Sequence, residues 1–216
     1  DGLCQACRRH LLSLAAPRCP FCGERKLAEE LVSCASCGSQ PGEFERVWTL
    51  GDYAQELRTI VLRMKQPREA PLSTAMCELL FASVGDSLAE WRPDAVLPVP
   101  MHWLRRALRG SNSAEWLGEV LARRLGVPNA AACVVRRRYT QPQSGLSPQA
   151  RFRNVRRAFR LRKGVDWSQA RVLVVDDILT TGATCGEIAR LLRAAGAAAV
   201  AAVVVARASG SEPPHR

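Results

Sequence analysis

The sequence predicts an α/β fold, a parallel sheet flanked by helices, with a small cysteine-rich module at its N-terminus. Three observations predict it. A strand, a loop, a helix and a second strand follow one another across 171–205. Three Cys-x-x-Cys pairs crowd the first 40 residues. A chain of 216 residues with 47% hydrophobic content is also long and apolar enough to bury a core beside such a module.

Composition excludes several classes. The hydrophobic content argues against disorder. No run approaches the roughly 18 apolar residues of a membrane span, and the start, charged at Arg8 and Arg9, lacks the apolar stretch of a signal peptide. A cytoplasmic protein without membrane insertion is therefore expected. Nine cysteines are an odd number, and with no secretory signal they read as thiols kept reduced rather than a disulfide scaffold. Residues 101–163 hold fifteen Arg or Lys against two acids, Glu115 and Glu119. Such a stretch suits phosphate, on a small ligand or a nucleic acid, although a merely solvated basic face has the same composition.

Along the chain, residues 1–45 are rich in Cys and Gly and poor in apolar periodicity, as expected of a segment ordered by metal. Cys4-x-x-Cys7, Cys19-x-x-Cys22 and Cys34-x-x-Cys37 repeat every fifteen residues, with Gly23 and Gly38 after two of them. One such pair is ambiguous between metal and redox use, whereas three in series point to metal. Four thiolates close a tetrahedral Zn²⁺ site, as in a zinc ribbon or knuckle, so six leave one pair over. Spacing alone does not say whether Cys4 and Cys7 or Cys34 and Cys37 is the extra pair.

The main domain is expected over 46–208. Leu57, Ile60, Val61 and Met64 recur at helical spacing and stop near Lys65-Gln66-Pro67. A second helix is expected from Pro71 to about Ser87, a short buried strand with a proline-set loop at 94–100, and a helix over 113–125 closed by Gly126-Val127-Pro128. A strand fits 131–135, followed by a long Arg-rich loop across 136–163. Then come strand 171–176, loop 177–182, helix 183–195 and strand 198–205, a right-handed βαβ unit. Residues 209–216 read as a disordered tail. Trp103 and Trp116 are expected in the core, His102 as an ordinary structural side chain, and the lone Cys77, Cys133 and Cys185 as small buried hydrophobes.

The unit around 172–184 carries the clearest chemistry. Four apolar residues bury the strand, Asp176 and Asp177 sit at its C-terminal end, and Thr180-Thr181-Gly182-Ala183-Thr184 opens the following helix. Ligands bind at that edge of parallel sheets. Backbone N–H groups, threonine hydroxyls and the positive end of the helix can hold a phosphate there, and Gly182 allows close approach. Two ionised carboxylates suit a vicinal diol, or a Mg²⁺ shared with it.

This stretch resembles the phosphoribosyl-pyrophosphate (PRPP) motif of type I phosphoribosyltransferases. The resemblance implies that Asp176 and Asp177 bind the ribose hydroxyls and that the threonine loop binds the 5′-phosphate. Purine-salvage members have an aspartate where Thr180 stands, which argues against hypoxanthine or guanine as acceptor. Pro98-Val99-Pro100-Met101-His102-Trp103, Arg105, Arg106, Arg109-Gly110-Ser111-Asn112, Thr140-x-Pro142-Gln143-x-x-Leu146 and Arg151-x-x-Asn154-x-x-x-Ala158-Phe159, with Tyr53, Lys65 and the cysteine pairs, extend the likeness. Together they are similar to the ComF family of competence-associated phosphoribosyltransferase-like proteins.

That resemblance implies a pyrophosphate-facing loop at Val99 and Pro100, supported by Arg105, Arg109 and Asn112. It implies a mobile hood over 136–157 carrying Arg136, Arg138, Gln143 and Arg151. The family usually reads Gly-Phe-Asn-Gln where this chain has Gly110-Ser111-Asn112-Ser113. Family N-termini often carry four cysteine pairs. This chain starts at Asp1, which places a further pair upstream, Cys4 and Cys7 in a truncated first site, and Cys19, Cys22, Cys34 and Cys37 in an intact second one. The implied activity is transfer of ribosyl phosphate from PRPP, with Mg²⁺, to a nitrogen acceptor. The rival is a non-catalytic protein that grips single-stranded DNA during uptake, alongside competence-machinery proteins, and is regulated by PRPP or another phosphate.

Overall fold

A computed structural model describes residues 3–13, 16–26, 34–40, 42–66, 68–143 and 145–208. Pro67 and the tail expected over 209–216 lie outside the described residues. Helix α1 (Gln5–Ser13) precedes the cysteine turns. Strand β1 (Val47–Asp52), helices α2 (Gln55–Met64) and α3 (Ala70–Trp91), strand β2 (Ala95–Pro98), and helices α4 (Trp103–Arg109) and α5 (Ser113–Leu125) follow. Next come strand β3 (Val134–Arg136), helix α6 (Pro148–Val155) and strand β4 (Phe159–Leu161). Strand β5 (Arg171–Leu179), helix α7 (Ala183–Ala194) and strand β6 (Ala199–Arg207) end the described chain.

Four strands form a parallel sheet in the order β1-β6-β5-β2. Parallel strands covered on both faces read as continuous apolar runs, and β6 is buried at every position but its last. Its side chains alternate between two cores. Ala199, Ala201, Val203 and Val205 join the core closed by α2, α3 and α5, while Val200, Ala202 and Val204 join the one closed by α7. The short ribbon of β3 and β4 is antiparallel and stands apart from the main sheet.

Several expectations change. Helix α3 runs four residues past Ser87 because Leu88 and Trp91 bury into the core, and it stops at Arg92 in the left-handed region (φ 53°). β1 carries no alternation to announce it and is held by pairing with β6. The stretch 136–163 is not one long loop. Ser147 accepts from Ala150 N and Pro148 opens the first turn of α6, while Phe159–Leu161 pairs with β3. β5 continues to Leu179, since Ile178 and Leu179 still pair with Ala206 and Arg207. Nor is the N-terminal segment ordered by cysteine turns alone, because Leu11 of α1 and Phe44 bury into the two cores.

Trp103 and Trp116 are exposed, at 70% and 43%, rather than in the core. Both lie on outward faces of helices whose ends are fixed by caps, with His102 Nδ1 accepting from Leu104 N and Asn112 Oδ1 from Ala114 N. Cys77 and Cys185 are buried as expected, but Cys133 is only half-buried.

Candidate phosphate-binding site and cysteine cluster

β5 delivers Asp176 and Asp177 to the carboxyl edge of the sheet, and the chain turns at once into α7 through Gly182 (φ 75°). A non-glycine residue there would be strained, so the glycine fixes how closely α7 begins behind the strand. Asp177 N donates to Asp176 Oδ1 (2.9 Å). Ser113 Oγ donates to Asp177 Oδ2 (2.7 Å), and Lys65 Nζ lies 3.5 Å from the same oxygen. The two acids therefore differ. Asp177 is buried but satisfied by a hydroxyl and a cation. Burial, and then the charge of Asp177, push the Asp176 carboxyl up to about 7, against smaller pulls from the Asp177 N–H and then from Lys65 and Arg136. Asp176 thus gains most from a cation or hydroxyl donor arriving in the cavity.

That cavity, of about 520 Å³, lies between the carboxyl edge of the sheet and the hood segment. The Val99-Pro100 loop forms one wall, tied to α5 because Asn112 Nδ2 donates to Val99 O (3.0 Å). Arg105 and Arg136 form the basic side. Arg136 is deep, its Nε has no hydrogen-bond partner, and burial together with Arg105 lowers its pKa to about 10. A guanidinium crowded by other cations and short of acceptors is a place where an anion is favoured. Thr140 links the two arginines, accepting from Arg136 at Oγ1 and from Arg105 at its carbonyl. Gln143 reaches across from the hood and donates to Thr184 Oγ1 (2.5 Å).

Most of the residues named from sequence meet here. Asp176, Asp177, Thr180, Gly182, Ala183, Thr184, Val99, Pro100, Arg105, Asn112, Arg136, Gln143 and Arg151 all line the cavity. Two do not. Thr181 accepts from Ala183 N at Oγ1 (3.4 Å), and Arg138 donates to the carbonyls of Asn154 (2.7 Å) and Arg156 (2.9 Å), bracing the hood. The side chain of Arg109 lies outside the described residues. Sequence reasoning missed Ser113, which stands where the family usually has Gln and uses its hydroxyl on Asp177. It also missed that buried Cys185 lines the cavity, its Sγ 3.9 Å from Asp176 Oδ2.

The cysteine turns form a second centre. The Sγ atoms of Cys19, Cys22, Cys34 and Cys37 all lie within 4.8 Å of one another. Cys19 and Cys37 are 3.5 Å apart, and Cys22 and Cys34 are 3.7 Å apart. A tetrahedral ZnS₄ centre with bonds of about 2.3 Å has edges of about 3.8 Å, so the geometry fits a metal of that kind. Gly23 N donates to Cys19 O and Gly38 N to Cys34 O, with both glycines in the left-handed region (φ 73° and 61°), which wraps each turn around its thiols. Cys4 and Cys7 are exposed and meet only each other in this set, at the start of α1. The ambiguity of pairing is thereby resolved in favour of the second and third pairs.

A parallel sheet whose carboxyl edge presents paired acids, a threonine loop at a helix N-terminus and a facing pair of arginines defines a phosphoribosyltransferase-like protein. The model of the phosphoribosyl transferase domain matches residues 111–216. Competence protein F of Haemophilus influenzae is 32% identical over 212 residues, covering 96% of this chain and 91% of that protein. The DNA utilization protein YhgH of Escherichia coli K12 is 34% identical over 202 residues, covering 92% and 87%. The chain belongs to the ComF family. Among solved structures, a purine phosphoribosyltransferase of Pyrococcus horikoshii is 16% identical over 79% of this chain and 97% of that one, with a TM-score of 0.38. Among the described residues no helix is long and apolar enough to cross a membrane.

Proposed function

We propose that this protein binds PRPP with Mg²⁺ in the 176–184 cavity and transfers its ribosyl phosphate to a nitrogen acceptor. The observation that carries this reading is the facing of two charge sets across one cavity. Asp176 and Asp177 stand beside the Thr180–Thr184 loop on one side, Arg105 and Arg136 on the other. The loop suits the 5′-phosphate, the acids suit the ribose diol and Mg²⁺, and the arginines suit the pyrophosphate, whose charge grows as it leaves. No side chain at the loop is an obvious general base, so positioning and electrostatic stabilisation supply the catalysis. Zn²⁺ is the metal assigned to the four cysteines, in a structural role. The setting is the cytoplasm, where the names of the relatives suggest a step of DNA uptake or utilization.

Pyrophosphate release from Mg-PRPP across a panel of nucleobases and simple amines tests the transfer. Release that depends on one acceptor supports it, and no acceptor-dependent release from protein that binds Mg-PRPP overturns it. A second reading, single-stranded DNA binding with PRPP as regulator, is favoured by one specific feature. Trp103 and Tyr139 are 70% and 50% exposed, with Arg105 stacked 5.8 Å from the Tyr139 ring centre. Exposed aromatic and Arg side chains are how non-specific single-strand binders hold bases. Binding of labelled oligo-dT that weakens steeply with salt and drops in Trp103→Ala/Tyr139→Ala supports this reading; salt-independent binding contradicts it.

A further inference from the structure

The last residue of β6, Arg207, is only 11% exposed and lies between the two centres. Its Nε donates to Cys22 O (2.9 Å), the carbonyl within the second cysteine turn. Its Nη1 donates to Leu179 O (3.1 Å), to Thr180 O and to Ala208 O. Nη2 pairs with Glu24 (3.4 Å), two residues beyond Cys22. One guanidinium therefore joins the cysteine turn to the first residues of the phosphate loop.

A second set of contacts runs in parallel. Pro20 O, between Cys19 and Cys22, accepts from Val47 N (2.7 Å) at the start of β1. On the far side of Cys37, the buried Phe44 ring lies 3.8 Å from where a side chain on Gly182 would begin. Glu43 pairs with Arg190 on α7 (3.3 Å). Both ends of the cysteine region are thus anchored against the strand, loop and helix that build the cavity.

The peptide plane gives this contact a direction. In a trans peptide the N–H of the next residue points opposite to the carbonyl, and no described peptide here is cis. Leu179 O also accepts from Ala208 N (2.9 Å), so the guanidinium acts chiefly by fixing the Thr180 carbonyl, and with it the direction of the Thr181 N–H. That N–H is a donor of the kind that holds a phosphate at a helix N-terminus. Losing the cysteine turn removes the Cys22 carbonyl and Glu24 from Arg207, which leaves the guanidinium held from one side only and loosens its grip on the loop.

We propose that Arg207 is a positioning residue through which a metal ion held by Cys19, Cys22, Cys34 and Cys37 sets the affinity of the 180–184 loop for phosphate. This rests on the loop being the phosphate site. The cysteine module is then part of the ligand site's support, not a separate appendage. Because coupling between sites is reciprocal, ligand in the cavity also tightens metal at the cysteines.

The test uses the full chain, zinc-loaded or stripped by chelator, as wild type, Arg207→Gln and Arg207→Lys. It reads hydrogen exchange of peptides spanning 178–186, zinc content, and calorimetric titration with Mg-PRPP. Arg207→Gln should keep its zinc, yet exchange at 180–184 should rise and Mg-PRPP affinity fall, each by about tenfold, an ordinary size for such coupling. Stripping zinc from wild type should do the same, and stripping it from Arg207→Gln should add clearly less than it does in wild type, since the two perturbations share the Arg207 link. Arg207→Lys keeps the charge but cannot span the carbonyls, so it should fall between the two. Exchange at 180–184 unchanged by zinc removal overturns the proposal, as does an additive effect of the two perturbations. Should zinc-loaded wild type fail to bind Mg-PRPP, the ligand assignment fails, while the exchange arm still decides the role of Arg207. Should Arg207→Gln not fold, Arg207→Lys, zinc-loaded and stripped, takes its place in the comparison.

Discussion

Asp176 should cost the folded protein stability that its neutral isostere restores. Burial and the Asp177 charge raise its pKa from an ordinary 3.8 to about 7, so at pH 8 the fold holds a carboxylate it would rather protonate. The folded value lies above the unfolded one, so the stabilising contribution of the neutral form is complete below about pH 4 and is lost as pH rises through about 7. Three powers of ten in proton affinity correspond to about 4 kcal/mol at the extreme. Partial exposure of Asp176 to the cavity, where solvent screens its charge, brings this nearer to about 2 kcal/mol. For a chain of this length that is about 4–8 °C in melting temperature. Asp176→Asn, melted without added divalent cation, should therefore be more stable than wild type by that amount at pH 8. The two should converge by pH 4–5, and the variant should lose Mg-PRPP binding. A variant that melts at or below wild type at pH 8 would refute the account of Asp176 as a strained, ligand-seeking carboxylate.

Other outcomes follow from the same geometry. Ser113→Ala removes a 2.7 Å donor from the buried Asp177; at about 1.5–3 kcal/mol for a bond to a charged acceptor, melting temperature and Mg-PRPP affinity should both fall, and an unchanged titration would contradict the role given to that hydroxyl. Metal analysis should find one zinc per chain, lost in Cys22→Ser and retained in Cys4→Ser/Cys7→Ser; loss in the latter would place the metal elsewhere. Gly182→Ala forces a side chain into the left-handed region (φ 75°) at about 1–2 kcal/mol, and because it shifts the loop donors it should weaken Mg-PRPP binding more than it lowers the melting temperature. Equal affinity in that variant would show that the loop backbone does not hold the phosphate. Binding of Mg-PRPP by the wild type should also strengthen from pH 6 to pH 8 as Asp176, with its pKa raised to about 7, ionises; affinity that stays flat or falls over that range would contradict it.

The phosphate loop was legible because its signals are local. Four consecutive apolar residues, two acids and a Thr-Thr-Gly turn specify a buried strand that ends at a helix N-terminus, and β5 and α7 formed there. The 113–125 helix was legible for the same reason, with Asn112 and Gly126 as its caps. What failed depends on distant partners. β1 is a strand only because β6, some 150 residues later, pairs with it. α4 carries a short apolar stripe of Trp103, Leu104 and Leu108, but all three are exposed, so no core contact holds it and it rests on the His102 cap and on Gly110. Reading tryptophans as core residues applied an average to two that are exceptions. Arg207 follows a run of alanines and valines with no motif around it, and its three-way role exists only once the cysteine turn folds back on the loop.

The central claim, that the 176–184 cavity is a PRPP site, is tested most directly by calorimetric titration of Mg-PRPP into the zinc-loaded full chain and into Asp176→Asn/Asp177→Asn. The account predicts saturable binding at one site in the first and none in the second, at equal zinc content and with both proteins folded. Equal binding by the two proteins would contradict it.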